Sequence, residues 1–370
     1  MAKDELPVLD RKALENFAKK SMDPELGWVR KPHSYGKENS SNGKQTQFSV
    51  NSHGARCNPG FDEKQPAIVV FGDSYAFSRQ VNDYEAWPHL VSKQLDLNVL
   101  NFGVGNYGLD QAILRMKREL GKHTCNLTII MVVPETICRI QSMWKHYSEY
   151  GNTFAFKPRF VLCGDNLLYK KNLVDEKEKY LNYVDQLNEI KKNDYFYKTK
   201  FKRDILTFPY TISLARSFSR NVPLIGALLK ARFSCLPEVK RRPFEMILER
   251  NQKISMSLYF DGPSKSLLEA LVHYGEEIAN KHGSKFLFCM VPQLQDIELI
   301  KHHGTYYGPL LKRLSQFTNV LDLTDLLICQ NDVRRCYTDD MYGGHLSEYG
   351  NQLVADLVSK KVRQLVEKKR

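Results

Sequence analysis

The chain has 370 residues, 42% of them hydrophobic, and a formal net charge of +12. That is apolar material for a large core in one or two domains. No run approaches the roughly 18 apolar residues that span a bilayer, and Met1-Ala2-Lys3-Asp4-Glu5-Leu6-Pro7 lacks the apolar stretch of a secretory signal.

The eight cysteines are scattered, with no C-x-x-C pair. They are expected to be reduced thiols of a cytoplasmic protein rather than disulfides or zinc ligands. Residues 1–65 are polar and rich in Gly, Asn and Ser. They are expected to form an extension packed on the core, with a short helix at 11–20 and an edge strand at 46–50.

From residue 67 the pattern alternates between strand and helix. Short continuous apolar runs, the mark of strands buried on both faces, fall at 67–71, 98–102 and 127–133. Helical patterns fall between them at 86–94 and 110–120. Pro134 stops the third strand. The alternation resumes with a helix at 265–282, a strand at 285–291 stopped by Pro292, a helix at 310–317, a strand at 320–323 and a last helix from 348. Five strands alternating with helices predict an α/β fold, a three-layer α/β/α sandwich around a parallel sheet. The core is thus expected in two parts, 66–140 and 261–370, separated by an insertion at 141–260 after strand three. Such insertions serve as lids or as substrate or membrane platforms.

Three segments fall at the carboxyl edge of this sheet, where open α/β sheets bind ligands. The first is Gly72-Asp73-Ser74, where strand one ends. Gly72 permits a sharp turn, and Ser74 presents a hydroxyl at the edge and an N–H near a helix start, where anions bind. Ser74 is therefore a candidate nucleophile that also supplies half of an oxyanion hole; Asp73 is expected to brace the turn. The second segment is Asn101-Phe102-Gly103-Val104-Gly105-Asn106-Tyr107-Gly108. Its glycines, Gly103 among them, let backbone approach a ligand, and the N–H of Gly105 or Asn106 is the candidate second oxyanion donor. The third runs from Asp339-Asp340 through Gly343-Gly344-His345 to Gly350-Asn351. A histidine in a Gly-rich loop suits a general base, with Asp340, or Asp339, or no acid at all, as its partner. Each segment alone also reads as an ordinary turn or helix cap.

Together the segments resemble the SGNH, or GDSL, hydrolase superfamily. The likeness rests on Gly72-Asp73-Ser74, on Asn101 to Gly108 followed by Asp110-Gln111, and on His345 with Leu346-Ser347 and Gly350-Asn351. The stretch from Phe71 to Trp87-Pro88, and Val50-Asn51-Ser52-His53-Gly54-Ala55-Arg56 upstream, resemble bacterial members. The resemblance implies the flavodoxin-like SGNH fold and a serine esterase. Such an enzyme hydrolyses or transfers a small acyl group through a Ser74 acyl-enzyme with His345 as base, and O-acetyl on a saccharide is a candidate substrate. The pattern departs from the family in three places. Asn106 stands where the second block usually has its oxyanion Gly, a change that keeps the backbone N–H. No Asn follows strand three, where Val133-Pro134-Glu135-Thr136 stands and Thr136 is the candidate substitute. Tyr342, not Asp, stands three residues before His345. These departures leave open a weak or inactive relative that binds glycan or lipid.

Residues 191–250 carry fourteen Lys/Arg against five Asp/Glu. The densest clusters are Lys198 to Arg203 and Lys240-Arg241-Arg242, flanking the amphipathic stretch 206–233. Residues 195–245 are a candidate contact with an anionic membrane surface, making the protein membrane-peripheral; the same stretch is compatible with packing on the core. No nucleic-acid motif accompanies the charge, so nucleic acid is not an expected partner. No cofactor or metal is expected. The Gly103 to Gly108 match to G-x-G-x-x-G follows the wrong strand for a dinucleotide fold. His302-His303 is expected on a loop without further ligands at metal spacing. The oligomeric state is not legible.

Overall fold

Continuous apolar runs make the central sheet of this protein. The computed structural model describes residues 6–40, 43–339 and 344–367. The strands are β1 (Pro66–Gly72), β2 (Asn98–Asn101), β3 (Leu127–Val132), β4 (Lys285–Met290) and β5 (Asn319–Asp322). They pair in the order β2-β1-β3-β4-β5, every pair parallel. All residues of β2 and β3 are buried, whereas the edge strand β5 is half-exposed. The chain leaves β1 toward β2 on one side and returns to β3 on the other. The carboxyl ends of β1 and β3 therefore flank the topological switch point, where such sheets bind ligands.

Successive side chains of a strand point to opposite faces, and each face is covered. On one face Ile68, Val70, Ile129, Met131, Leu287 and Cys289 share a core with α2 (Trp87–Leu95) and α8 (Glu348–Glu367). The other face is covered by α3 (Leu109–Leu120) and α5 (Gly262–Lys281), where Gly275 lies against Phe286 and Ile113. The architecture is the three-layer α/β/α sandwich with a five-stranded parallel sheet. Short helices complete the loops: α1 (Ser74–Phe77), α4 (Thr136–Arg139), α6 (Leu294–His303) and α7 (Gly308–Leu314).

Two local expectations change. His302 and His303 lie in the last turn of α6, not on a loop. Leu294, Ile297 and Ile300 give this helix its inner face, and Gln293 with Asp296 forms its capping box. The expected edge strand at 46–50 is half of an antiparallel hairpin, Tyr35–Asn39 with Gln45–Ser49. Its Phe48 packs on Phe77 of α1, ring centroids 5.0 Å apart.

The chain forms two units. One comprises Val29–Ile140, Phe160–Leu168 and Met256–Arg370, and holds the sandwich. The other comprises Met1–Trp28, Gln141–Arg159 and Tyr169–Ser255. The described residues up to Trp28 thus group with the insertion, whereas those from Val29 on belong to the unit that holds the sandwich. Within the second unit, Trp144 stacks on Phe156 at 4.8 Å. The fully buried Asp194 there accepts hydrogen bonds from the N–H groups of Met143 and Trp144 and from Ser142 Oγ. Among the described residues no helix is long and apolar enough to cross a membrane.

Candidate active site

Ser74 opens α1 where β1 stops. Gly72 has φ +143°, and a Cβ there would stand 1.9 Å from Met131 O, so only glycine lets β1 and β3 approach. Asp73 caps α1. Its fully buried carboxylate accepts from Tyr75 N at 2.8 Å, Val133 N at 2.9 Å and Arg139 Nη1 at 3.2 Å. Burial raises its pKa, and Arg139 and the two backbone N–H groups oppose the rise.

Arg139 joins the loops that follow β1, β2 and β3. Besides Asp73 it donates to Tyr107 O at 3.2 Å and to Glu135 Oε2 at 2.6 Å. Gly103 lies against the backbone of Ala76 and Phe77, a contact that a side chain would fill. Asn106 has φ +65° and is exposed, in the turn it forms with Gly105. Ser74, as the first residue of α1, has an N–H without a partner inside the helix.

The last segment brings His345 to Ser74. His345 Nε2 lies 2.9 Å from Ser74 Oγ. The imidazole packs on Tyr75, ring centroids 5.1 Å apart, and Tyr75 Oη donates to Gly344 O at 3.2 Å. Trp87 N donates to Asn351 Oδ1 at 3.0 Å, and Asn351 Nδ2 donates to Leu346 O and Ser347 O. The Trp87 and Asn351 positions singled out in the sequence therefore lock the start of α2 to the start of α8 beside the histidine. Burial, then Arg79 and Arg139, hold the His345 pKa well below its usual value.

His345 Nδ1 meets Gln80 Oε1 at 3.1 Å. Thr338 Oγ1 accepts from His345 N at 2.9 Å and lies 2.6 Å from the same Gln80 oxygen. The shorter distance suits an O–H donor, so Thr338 donates to Gln80 Oε1. An oxygen in that position receives the proton of His345 Nδ1, which leaves Nε2 as an acceptor facing Ser74. Asp339 is exposed, and Asp340 lies outside the described residues.

Gln80 is itself held from behind. It has φ +64°, and its N–H donates to Glu38 Oε2 at 2.7 Å while Arg79 Nε pairs with Glu38 Oε1 at 2.8 Å. The buried Arg56 guanidinium donates to Phe77 O, to Ser78 O, to Val81 O at 2.7 Å and to Asp83 Oδ1 at 2.8 Å. Neither Gln80 nor Arg139 stands out in the sequence, because neither residue type announces catalysis. Thr136 is fully buried, and its Oγ1 accepts from Leu109 N at 2.9 Å, which closes the start of α3. Among the described residues no three His, Cys, Asp or Glu side chains gather as metal ligands.

No family model matches the chain, and no curated protein does. Among solved structures it is similar to the lipase/acylhydrolase from Enterococcus faecalis, with 12% identity over 81% of this chain and 96% of that one and a TM-score of 0.36. A Desulfitobacterium hafniense DCB-2 protein described as lipolytic and of the G-D-S-L family gives 12% identity, 79% and 97% coverage and a TM-score of 0.33. A family two carbohydrate esterase from Clostridium thermocellum, in complex with cellohexaose, gives 11%, 81% and 64%, with a TM-score of 0.30.

Proposed function

We propose that this protein is a serine ester hydrolase or O-acyltransferase acting on a small acyl ester. The observation that carries this is the 2.9 Å approach of His345 Nε2 to Ser74 Oγ, with Nδ1 committed to Gln80. With its pKa pushed down by burial, His345 is neutral near pH 7 and has a lone pair on Nε2. Ser74 Oγ attacks the ester carbonyl carbon while Nε2 takes its proton. The N–H groups of Ser74 and of the Gly105 and Asn106 turn are the oxyanion donors in this reading. Nε2 then gives the proton to the departing alkoxide, and an acyl-Ser74 ester remains. Water, or an acceptor hydroxyl, attacks that ester after giving its proton to Nε2. The proton returns to Ser74 as the acyl group leaves. The saccharide O-acetyl substrate rests on the sequence resemblance alone.

The test is turnover of p-nitrophenyl acetate and of an O-acetylated oligosaccharide by the wild type, Ser74→Ala and His345→Ala. Each substitution is expected to lower kcat by about three orders of magnitude or more. Wild-type turnover at the buffer rate with both esters, with or without an added acceptor sugar, sinks the proposal.

A further inference from the structure

Between Asp204 and Glu238 the chain has no acidic residue and four cations, Arg216, Arg220, Lys230 and Arg232. The same stretch leaves large apolar side chains in solvent. Phe208 is 85% exposed, Phe218 63% and Phe233 83%. Isolated exposed apolar side chains are ordinary, but a concentration of them marks an interaction surface. The helices Tyr210–Arg216 and Phe218–Phe233 carry most of this surface.

Charge and apolar surface converge on a cleft of about 300 Å³. Lys202, Arg203, Arg216 and Arg220 line it, together with Phe208 and Ile212. Asp204 lies beside Arg220 at 3.6 Å, but it also faces Lys200 at 3.6 Å and Arg250 at 3.8 Å, so the local balance stays positive. Among the described residues, Lys202, Arg203 and Arg216 have no carboxylate within ion-pair distance. Lys202 instead lies 5.5 Å from the Tyr197 ring.

We propose that this cleft takes the phosphate of an anionic phospholipid headgroup, while Phe208, Ile212 and the exposed side of Phe218–Phe233 enter the interfacial layer of a bilayer. Guanidinium groups match phosphate oxygens in geometry and charge. Basic residues beside an apolar face are the composition that rests on anionic lipid. A second copy of the chain fits less well, because a two-fold interface sets this patch against itself and brings like charges together. A soluble phosphate ester would fill the cleft and leave the apolar rim bare. The inference is independent of the chemistry at Ser74.

The experiment is sedimentation of the full chain with phosphatidylcholine vesicles, with and without phosphatidylglycerol. The wild type, Arg203→Glu/Arg216→Glu and Phe208→Ser/Ile212→Ser are compared. All four side chains are exposed or nearly so, and circular dichroism verifies the fold. Wild-type protein is expected to sediment with the phosphatidylglycerol vesicles and to stay in solution with phosphatidylcholine alone. Each double variant is expected to bind the anionic vesicles at least about tenfold more weakly. Equal binding to both vesicle types, or unchanged binding by the charge-reversed variant, overturns the proposal. So does saturable binding of glycerol phosphate in solution that Phe208→Ser/Ile212→Ser leaves unaltered while vesicles are ignored. A wild-type dimer that this apolar variant dissociates, again without vesicle binding, assigns the surface to a second copy instead.

Discussion

Gln80 Oε1 lies 3.1 Å from His345 Nδ1, in the place where a serine triad puts a carboxylate. A neutral amide oxygen fixes the imidazole tautomer as a carboxylate does. In the proposed mechanism it adds no negative charge to stabilise the imidazolium that attack would form. The pair therefore separates two roles that an aspartate combines, orientation and charge.

Replacing Gln80 tests each role. Gln80→Ala removes the acceptor and frees the ring, and kcat for a short ester is expected to fall by about 10²-fold or more with little change in KM. Gln80→Glu keeps the acceptor and adds charge, which favours protonated His345. The acid limb of the kcat/KM profile is then expected to move to higher pH than in the wild type. Unchanged profiles in both variants would remove Gln80 from the machinery.

Depression of the His345 pKa has consequences for activity and for stability. Because burial, Arg79 and Arg139 lower it, the wild-type acid limb is expected below the ordinary histidine range. For stability, the unfolded chain binds a proton at His345 at a higher pH than the folded chain does. The histidine therefore costs nothing above its unfolded pKa, near 6.5, and destabilises the fold progressively as pH falls below it. A series of melting temperatures should show His345→Gln losing less stability than the wild type on acidification. Parallel curves would mean that the folded histidine titrates normally.

Much of this was legible in the chain, for identifiable reasons. Strands buried on both faces are continuous apolar runs, so the five strands and their parallel sheet follow from 67–71, 98–102, 127–133, 285–291 and 320–323, with ends shifted by one residue at most. Gly72, Ser74 and His345 could be named because a turn glycine, a hydroxyl at a strand end and a loop imidazole each carry chemistry in their residue type. The partner of Nδ1 could not, since Gln80 reaches it only through a left-handed backbone and supports from Glu38 and Arg56. Helix α6 escaped because its start rests on a Gln-Asp capping box, without the Ser, Thr, Asp or Asn cap that marks a helix start.

Arg139 illustrates how the site depends on burial. Its guanidinium and the Asp73 carboxylate are both withdrawn from water, and Glu135 shares the cation. Arg139→Met leaves Asp73 with two backbone donors and no countercharge. Breaking a buried pair from one side costs about 3–5 kcal/mol. The Asp73 pKa, already raised by burial, should rise further, so the folded variant holds its proton to higher pH than the unfolded chain does. Stability of the variant then falls as pH increases. Urea midpoints at acidic and alkaline pH are expected to show a larger deficit against wild type on the alkaline side. An equal deficit at both ends would mean that Asp73 is not the group left uncompensated.

In the proposed mechanism Arg56 acts on the chemistry at one remove. It is buried, and it gathers Phe77 O, Ser78 O, Val81 O and Asp83 around one planar fork, which shapes the loop that presents Gln80. Arg56→Lys keeps the charge but cannot reach all four acceptors from a single ammonium. Carbonyls left unpaired in the interior destabilise the fold, so the melting temperature should drop. The loop should also relax around Ser78 and Gln80, which hold left-handed backbone at φ +61° and +64°. A displacement of about 1 Å in a positioning group can lower turnover by about 10²-fold. The expected result is therefore a kcat deficit that persists well below the variant's melting temperature, with KM nearly unchanged. Combining Arg56→Lys with Gln80→Ala should then add little further loss, because both act through the same contact with His345. Multiplicative losses in the double variant would show that Arg56 supports catalysis by some route other than Gln80.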